Sequence, residues 1–211
     1  MKGRLITLEG GEGAGKSTLL EGLCSYLRLH AIEPLLTREP GGTALGEGVR
    51  ALVLDPALRE MCAESELLLM FAARAQLVRE KLRPALDAGQ WVLCDRFTDA
   101  SFAYQGGGRG QPPERIAELE RWAADALQPD LTLLLDLPVG TGRQRAAGRG
   151  HAADRIEREA DGFFERIRAA YLERAAQQPQ RFCVLDARQT PDQVLAAAMR
   201  ALQPLLEEGT T

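Results

Sequence analysis

The sequence predicts an α/β fold with one five-stranded parallel sheet that is covered by helices on both faces. Short β-type runs alternate with longer helical patterns along the chain, as in strand–helix–strand units. The run 131–137 is almost wholly apolar, as expected for a strand at or near the centre of such a sheet. A length of 211 residues without a repeat or a linker favours a single domain over residues 1–211.

The predicted strands are the five short β-type runs, which in chain order are 4–9, 34–37, 91–95, 131–137 and 181–186. The segments between and after them are long enough for helices, which we predict at 15–29, 45–54, 64–88, 113–127, 140–148, 158–177 and 191–206. Pro113 and Glu114 suit a first helical turn, and Thr190 is a cap residue before Pro191. The glycine-rich stretch 106–110 is predicted to be a tight loop.

Composition excludes several classes of protein. Hydrophobic residues make up 45% and charged residues 27%, which is typical of a folded globular chain and not of a disordered one. The net charge is −4 and the 26 basic residues are spread along the chain, so we expect no binding to a nucleic acid polymer. Four scattered cysteines, no signal peptide and no apolar run near 18 residues predict a cytoplasmic protein that binds no membrane.

The segment 10–17, GGEGAGKS, matches the pattern G-x-x-x-x-G-K-[S/T] at every fixed position. It lies between a predicted strand and a predicted helix, which is the context that this motif requires. Glycines let the backbone wrap around an anion while the following helix adds its positive end. We therefore predict a P-loop NTPase core. The residues expected to bind the phosphate chain are Gly10, Gly11, Glu12, Gly13, Ala14, Gly15, Lys16, Ser17 and Thr18.

Three side chains near this loop are predicted to act on the phosphates. Lys16 would reach the β- and γ-phosphates, and the Ser17 hydroxyl would ligate Mg²⁺. Asp95 ends the predicted strand 91–95, so its carboxylate would emerge at the edge of the sheet where ligands of open α/β sheets bind. Beside a P-loop, such a carboxylate is predicted to help hold Mg²⁺.

A second phosphate site is indicated by two arginines. Arg38 and Arg96 follow the second and third predicted strands, and arginine can bind a phosphate with two parallel hydrogen bonds. For either arginine alone, a surface salt bridge is an equally good explanation. The chain contains no asparagine, which excludes a GTPase that recognises guanine through Asn-Lys-x-Asp. Small phosphotransferases and nucleotide-binding modules remain.

Six motifs together resemble those of bacterial thymidylate kinases, which are P-loop nucleoside monophosphate kinases. They are LEGGEGAGKST, TREPGGT, LLLMFAARAQLV, DRFTDASFAYQGGGRG, PDLTLLLDL and GRGHAADRIE…FFERIRAAY. The resemblance implies transfer of the γ-phosphoryl group of ATP to dTMP, giving dTDP, with Mg²⁺ as cofactor and a homodimer as the assembly. A kinase for another monophosphate, such as dUMP or dGMP, and a nucleotide-binding regulatory module remain as alternatives.

The resemblance also implies roles for residues at the acceptor site. Glu12 would bind the 3′-hydroxyl of dTMP, Arg38 and Arg96 its phosphate, and Glu39 would support the Mg²⁺ or water network. Pro40 is expected to follow a cis peptide bond. The residues placed at the base and sugar are Arg74, Ser101 and Gln105 along the thymine edge, Tyr104 near the sugar, and either Met70 or Phe71 against the ring, because relatives carry phenylalanine four residues before the arginine.

A lid over ATP is implied at about residues 142–156, and its arginines are assigned in the same way. Arg149 is expected to contact the transferring phosphoryl group, Arg145 the adenine, and Arg155 is a further lid cation. The lid is one residue longer than is usual, which leaves these three assignments interchangeable, and His151 in it is expected to be solvated. The residues predicted to be catalytic are Lys16, Arg149, Arg96 and Asp95.

Overall fold

The computed structural model describes residues 2–148 and 153–208, and within them the predicted parallel five-stranded sheet is confirmed. Its strands are β1 Leu5–Gly10, β2 Leu35–Arg38, β3 Val92–Asp95, β4 Leu131–Asp136 and β5 Phe182–Asp186. The spatial order is β2-β3-β1-β4-β5, and every pairing is parallel. Because β1 is central and Leu8 is in register with Asp95, the loop after β1 and the end of β3 meet at one edge.

The predicted helices are present in the predicted order in the described residues, and one further short helix, Thr98–Ser101, was not predicted. They are α1 Lys16–Leu29, α2 Ala44–Leu54, α3 Ala63–Leu77, α4 Arg83–Asp87, α5 Thr98–Ser101, α6 Pro113–Ala123, α7 Val139–Ala147, α8 Asp161–Gln177 and α9 Pro191–Glu208. Helix α6 ends before the predicted residue 127, since Asp125 and Ala126 have left-handed backbones with φ of 52° and 50°. No helix in the described part of the chain is long and apolar enough to cross a membrane.

The single helix predicted at 64–88 contains a π-helical turn, Val78–Leu82, between α3 and α4. Pro84 lies at the start of α4 and has no N–H with which to bond the carbonyl four residues earlier. A wider turn at this point is one way in which a helix accommodates such a proline. The helix prediction was therefore correct in extent but did not include the irregular turn.

The loop predicted at 106–110 was wrong in part, because the helical path of α5 continues as a π-helical segment through Phe102–Gly108. The reason is tertiary packing against α8. A Cβ added to Gly107 would lie 2.6 Å from the Cβ of Ala170, and one on Gly108 would lie 2.6 Å from the Phe163 ring. These glycines allow two helical segments to come into close contact. A glycine-rich pattern is also typical of a turn, and the sequence by itself does not distinguish the two.

Both faces of the sheet are buried under helices, as predicted. On one face Leu133 and Leu135 of β4 pack in a cluster with Leu23 of α1 and Leu202 of α9. Leu134, which points the other way, packs with side chains of α8. This alternation makes the sheet a rigid support and places the loops after β1 and β3 at fixed positions.

Candidate active site

The loop between β1 and α1 has the backbone of an anion-binding cradle. Gly13 and Gly15 have φ values of 70° and 95°, a region that favours glycine. A Cβ on Gly13 would lie 2.1 Å from the carbonyl oxygen of Gly142 on α7, so no side chain fits there. The loop leads directly into α1 at Lys16, whose first turn adds unpaired N–H groups and the positive end of the helix dipole.

The Lys16 side chain is buried and folds back on the loop that precedes it. Its Nζ donates hydrogen bonds to the carbonyl oxygens of Gly10, at 3.2 Å, and Gly11, at 3.0 Å. Burial is the main cause that lowers the pKa of Lys16 to about 8, and the nearby charge of Arg96 is the second. Neighbouring carboxylates such as Glu12 oppose this shift. An anion bound in the cradle would relieve the unfavourable environment of this ammonium group.

Arg96 connects the end of β3 to the glycine loop. Its Nη1 donates to the Gly10 carbonyl at 2.9 Å, and its Nη2 donates to Glu12 Oε1 at 3.1 Å. The guanidinium carbon also lies 4.8 Å from the centroid of the Tyr104 ring. The backbone of Arg96 is left-handed, with φ of 71°, a strained conformation that is typical of functional positions. The predicted catalytic residues Lys16 and Arg96 are therefore brought together at one carbonyl oxygen.

Two residues behind Arg96 were not identified from the sequence as site residues. Tyr171 of α8 accepts a hydrogen bond from Arg96 Nη1 at 3.2 Å and donates its own hydroxyl proton to Glu9 Oε2 at 2.6 Å. Glu9 is fully buried and also accepts from the backbone N–H of Phe97 at 2.7 Å. Burial, with a further contribution from Asp99, raises the pKa of Glu9 to about 8. Glu9 could have been identified from the sequence, because it is an acidic residue in a largely apolar strand.

The acidic residue at the end of β3 has an oxygen that is available for a further ligand. Asp95 Oδ1 is buried and has no hydrogen-bond partner among the described residues. Asp95, Ser17, Thr37 and Arg38 line one cleft of about 360 Å³. A hydroxyl and one carboxylate fit Mg²⁺, which binds through one or two carboxylates and completes its shell with phosphate and water oxygens. The described residues contain no group of three or more His, Cys, Asp or Glu side chains suited to a metal.

Arg74 of α3 is fully buried between three predicted site segments. Its Nε donates to Glu39 Oε2 at 2.7 Å, its Nη1 to Ser101 Oγ at 3.0 Å and its Nη2 to the Phe97 carbonyl at 3.1 Å. The cis peptide bond expected before Pro40 is present. Burial raises the pKa of Glu39 even though Arg74 pairs with it. The predicted acceptor residues Arg74, Glu39 and Ser101 thus form one connected cluster.

The two candidates for stacking on the base both lie in apolar clusters. Phe71 packs with Leu67 and Ile116, and the Arg74 guanidinium lies 4.5 Å from its ring centroid. Met70 packs with side chains of α2 in a separate cluster. The choice between Met70 and Phe71 stays a prediction. Arg38, expected at the acceptor phosphate, is half-exposed and forms an ion pair with Glu47 at 3.0 Å.

Side chains of the segment Phe102–Gly108 complete the predicted acceptor site. The Tyr104 hydroxyl and the Gln105 carbonyl oxygen Oε1 are buried without a hydrogen-bond partner in the part of the chain that the structure describes. Gln105 Nε2 donates to Glu66 Oε1 at 2.9 Å. Arg155, expected as a further lid cation, is buried, and its Nη2 donates to Glu66 Oε2 at 2.5 Å. Glu66 had no predicted role.

A second cleft, of about 270 Å³, lies on the other side of the glycine loop. Gly13, Thr18 and Arg145 line it, together with Ala187 and Gln189, which follow β5 and were not predicted. Arg145 donates from Nη1 to the Ala187 carbonyl at 3.0 Å. Arg145 and the loop after β5 thus border a space beside the phosphate cradle. The predicted Arg149, and His151, lie outside the described residues.

Comparisons with known proteins agree on one family. A family model described as thymidylate kinase matches residues 8–198. A curated thymidylate kinase of Ectopseudomonas mendocina (strain ymp) is 58% identical over 207 residues, covering 98% of both chains. One of Alkalilimnicola ehrlichii is 56% identical over 201 residues, 95% of this chain and 93% of the relative. A crystal structure of thymidylate kinase from Ehrlichia chaffeensis superimposes with a TM-score of 0.78 at 30% identity, covering 96% of this chain and 99% of that one.

Proposed function

This chain belongs to the thymidylate kinase family, and we propose that it transfers the γ-phosphoryl group of ATP to dTMP, forming ADP and dTDP. The observation that supports this reaction most directly is a shared hydrogen-bond acceptor. Lys16, from the ATP cradle, and Arg96, from the proposed dTMP side, both donate to the Gly10 carbonyl oxygen. Two cations at one atom mark the point where the two phosphates would meet.

On the donor side, the backbone of residues 10–18 would surround the phosphates of ATP, with Lys16 against the β- and γ-oxygens. Arg145 and the loop after β5 border the cleft proposed for adenine. Residues 142–156 form the proposed lid within a single domain of residues 1–211. Arg149 is the proposed lid residue at the transferring phosphoryl group, where an arginine can contribute about 10³–10⁵ in rate.

On the acceptor side, Arg96 and Arg38 would bind the dTMP phosphate, and Glu12 would accept a hydrogen bond from its 3′-hydroxyl. Arg74, Ser101 and Gln105 would bond the thymine edge, and Tyr104 would pack at the sugar. In support of this, Arg74 donates to Ser101, and the Gln105 carbonyl oxygen and the Tyr104 hydroxyl have no protein partner among the described residues. Buried polar atoms without partners favour a ligand that satisfies them.

Attack by a dTMP phosphate oxygen requires no strong base, because that oxygen is already ionised near neutral pH. The protein instead aligns the two phosphates and balances their charge. Ser17 and Asp95 would hold Mg²⁺, with Glu39 supporting the surrounding water network. When bound, the ion neutralises charge on the transferring phosphates. The Glu9–Tyr171 pair would hold Arg96 in place during the reaction.

A panel of nucleoside monophosphates tests this proposal. ADP release should be fastest with dTMP, and the product should be dTDP. Equal or faster turnover with a purine monophosphate such as dGMP would overturn the thymine assignment. No dTDP at saturating Mg·ATP and dTMP would instead favour a regulatory module that only binds nucleotide.

We also propose that the chain acts in the cytoplasm as a homodimer and binds neither a membrane nor a nucleic acid polymer. A net charge of −4 gives little attraction to polyanions. Large apolar side chains are exposed on helices that pack side by side, with Leu52 on α2, Leu68 on α3 and Trp122 on α6. Such a group of exposed apolar residues is typical of an interface between subunits.

A further inference from the structure

Glu66 is a fully buried carboxylate that the reaction described above does not use. It lies on α3, two turns before Arg74, and accepts hydrogen bonds from three side chains of two other segments. The donors are Gln105 Nε2 at 2.9 Å, Arg109 Nε at 3.2 Å and Arg155 Nη2 at 2.5 Å. A buried charge destabilises the fold unless it is paired and hydrogen-bonded. Glu66 is paired with Arg109 and Arg155 and also accepts a hydrogen bond from the Gln105 amide. Three polar side chains donate to this one carboxylate, which indicates a role for Glu66 beyond packing.

The carboxylate fixes the orientation of the Gln105 amide. Burial by itself would raise the pKa of Glu66, but hydrogen bonds from Gln105 and Arg155 and the charge of Arg109 bring it below its ordinary value. An ionised carboxylate can only accept hydrogen bonds, so the amide must turn its NH₂ group toward Glu66. The carbonyl oxygen of Gln105 therefore faces away from Glu66, and it is buried without a partner among the described residues.

Two hydrogen bonds between α3 and the segment that follows β3 place the Gln105 carbonyl oxygen and Arg74 in the same layer. Arg74 bonds Ser101 at 3.0 Å, and Glu66 bonds Gln105 at 2.9 Å. Residues 66 and 74 are eight apart on α3, and residues 101 and 105 are four apart, so each pair lies on one helix face. Arg74 has a second N–H on each of Nη1 and Nη2 beyond those bonded to Ser101 and Phe97, so the layer combines further donors with one acceptor, the Gln105 carbonyl oxygen.

That arrangement matches one kind of pyrimidine. Thymine and uracil present an N–H donor at position 3 beside the O4 acceptor, whereas cytosine presents an acceptor at position 3 beside an amino donor. A thymine-type edge satisfies both Arg74 and the Gln105 carbonyl oxygen. A cytosine edge would leave an acceptor opposite an acceptor and a donor opposite a donor, and unpaired buried groups discriminate strongly.

We propose that Glu66 sets the pyrimidine preference of this enzyme, because its carboxylate holds the Gln105 amide with only the carbonyl oxygen directed at the acceptor base. The inference rests on the proposed function, in which Gln105 contacts the base. Glu66 is a positioning residue that acts through Gln105 and does not itself touch the substrate. The substrates that this arrangement favours are deoxynucleoside monophosphates whose base has an N–H at position 3.

The test compares kcat/KM for dTMP and for dCMP in the full-length enzyme. In Glu66→Gln the facing group can donate as well as accept, so the Gln105 amide is free to turn over. The ratio of kcat/KM for dTMP to that for dCMP should fall at least about tenfold. General loss of stability would lower both values together and leave the ratio unchanged. An unchanged ratio in the folded variant overturns the inference.

Glu64→Gln is the matched control. Glu64 also lies on α3 and also accepts from a glutamine amide, that of Gln111 at 3.1 Å, but it is close to the surface and away from Arg74. Its ratio should equal that of the wild type. A comparable fall in Glu64→Gln would assign the effect to helix α3 in general and would count against Glu66.

A double variant tests whether Glu66 acts through Gln105. Gln105→Leu removes the acceptor and should by itself lower the ratio at least about tenfold. Adding Glu66→Gln to Gln105→Leu should change the ratio no further. Full and independent effects of the two substitutions would overturn the inference, as would an unchanged ratio in Gln105→Leu.

The unpaired arginine in Glu66→Gln could prevent folding. In that case Glu66→Gln combined with Arg155→Met removes both charges, and its ratio should fall about tenfold relative to Arg155→Met alone. The activity of the wild type toward dTMP distinguishes failure of this inference from failure of the proposed function. A wild type that does not phosphorylate dTMP contradicts the proposed function, whereas an active wild type with unchanged ratios in the variants contradicts only the role of Glu66.

Discussion

Lys16 shows how the surroundings of a single residue change its charge state. Its ammonium group donates hydrogen bonds to two backbone carbonyls, but burial and the nearby charge of Arg96 lower its pKa to about 8. In the free enzyme the positive charge is therefore lost as pH rises through about 8. Phosphates bound as proposed would stabilise the charged form and restore a higher pKa.

The pH dependence of activity follows from this shift. With dTMP well below its KM, kcat/KM for ATP should fall as pH rises through about 8, because this ratio then reflects the enzyme without bound nucleotide. The kcat, which reflects the bound complex, should stay level to a higher pH. Rates measured from about pH 6 to about pH 10 distinguish the two. A common midpoint for both parameters would exclude Lys16 as the titrating group.

Removal of the charge provides a second prediction for the same residue. Lys16→Met keeps an apolar stem but has no cation for the phosphates, so kcat should fall by about 10²–10³. Lys2→Met, an exposed lysine before β1 and at the opposite edge of the sheet, is the control and should retain wild-type kcat. Equal kcat values in the two variants would refute the proposed role of Lys16.

Glu9 should make the stability of the protein depend on pH. The pKa of its carboxyl is about 8 in the folded chain against an ordinary 4.5, so the folded state holds a proton that the unfolded state releases above 4.5. The contribution of Glu9 is complete below that pH and is lost as pH rises through about 8. Glu9→Gln should flatten this decline, as measured by urea unfolding at several pH values. An identical decline in the variant would disprove the assignment.

At the scale of elements, a buried ion cluster holds four segments together. Asp99 of α5 pairs with Arg174 of α8 and with Arg181, which precedes β5, and Thr132 of β4 donates to the same carboxylate. Burial opposes ionisation of Asp99, yet hydrogen bonds from Arg181 and the two arginine charges keep its pKa below the ordinary value. Each partner lies more than 30 residues from Asp99 along the chain and meets it only in the fold.

Asp99→Ala should therefore destabilise the fold by about 3–5 kcal/mol, because two arginines lose their buried partner. Asp186→Ala is the control, since Asp186 pairs with Arg188 at the surface, where an ion pair contributes little to stability. Urea denaturation gives both free energies of unfolding. Similar values for the two variants would show that the Asp99 cluster is not structural.

Elements were predicted best where the local pattern is strong. The apolar strands and the long helices α1, α8 and α9 were placed to within a few residues. The segment Phe102–Gly108 was taken for a loop, because its glycines serve close packing on α8 and not a turn. Local spacing reflects backbone preference, whereas the approach of a second helix is a tertiary property.

At the scale of the whole molecule, the exposed apolar side chains of α2, α3 and α6 predict how two copies would pair. Trp122 is 75% exposed and Leu68 is 58% exposed, and both line a groove of about 400 Å³. An apolar groove of this kind would be covered in the proposed homodimer.

Leu68→Glu should therefore weaken the dimer at least about tenfold, because a charge would be buried at the interface. Sedimentation velocity at several protein concentrations measures this change. Leu29→Glu is the control, since Leu29 is also exposed but lies at the end of α1, which packs against α9. An unchanged dissociation constant in Leu68→Glu, or a monomeric wild type, would contradict this arrangement.

The sequence by itself determined the fold class, the glycine-rich loop of residues 10–17 and the family, because these depend on local spacing and on the order of motifs along the chain. Only the tertiary structure decided that Arg155 is anchored by Glu66 and that Tyr171 connects Arg96 to Glu9. The same holds for the orientation of the Gln105 amide. The physical reason is that these hydrogen bonds join residues distant in the chain, and burial of each charge depends on packing that no local pattern encodes.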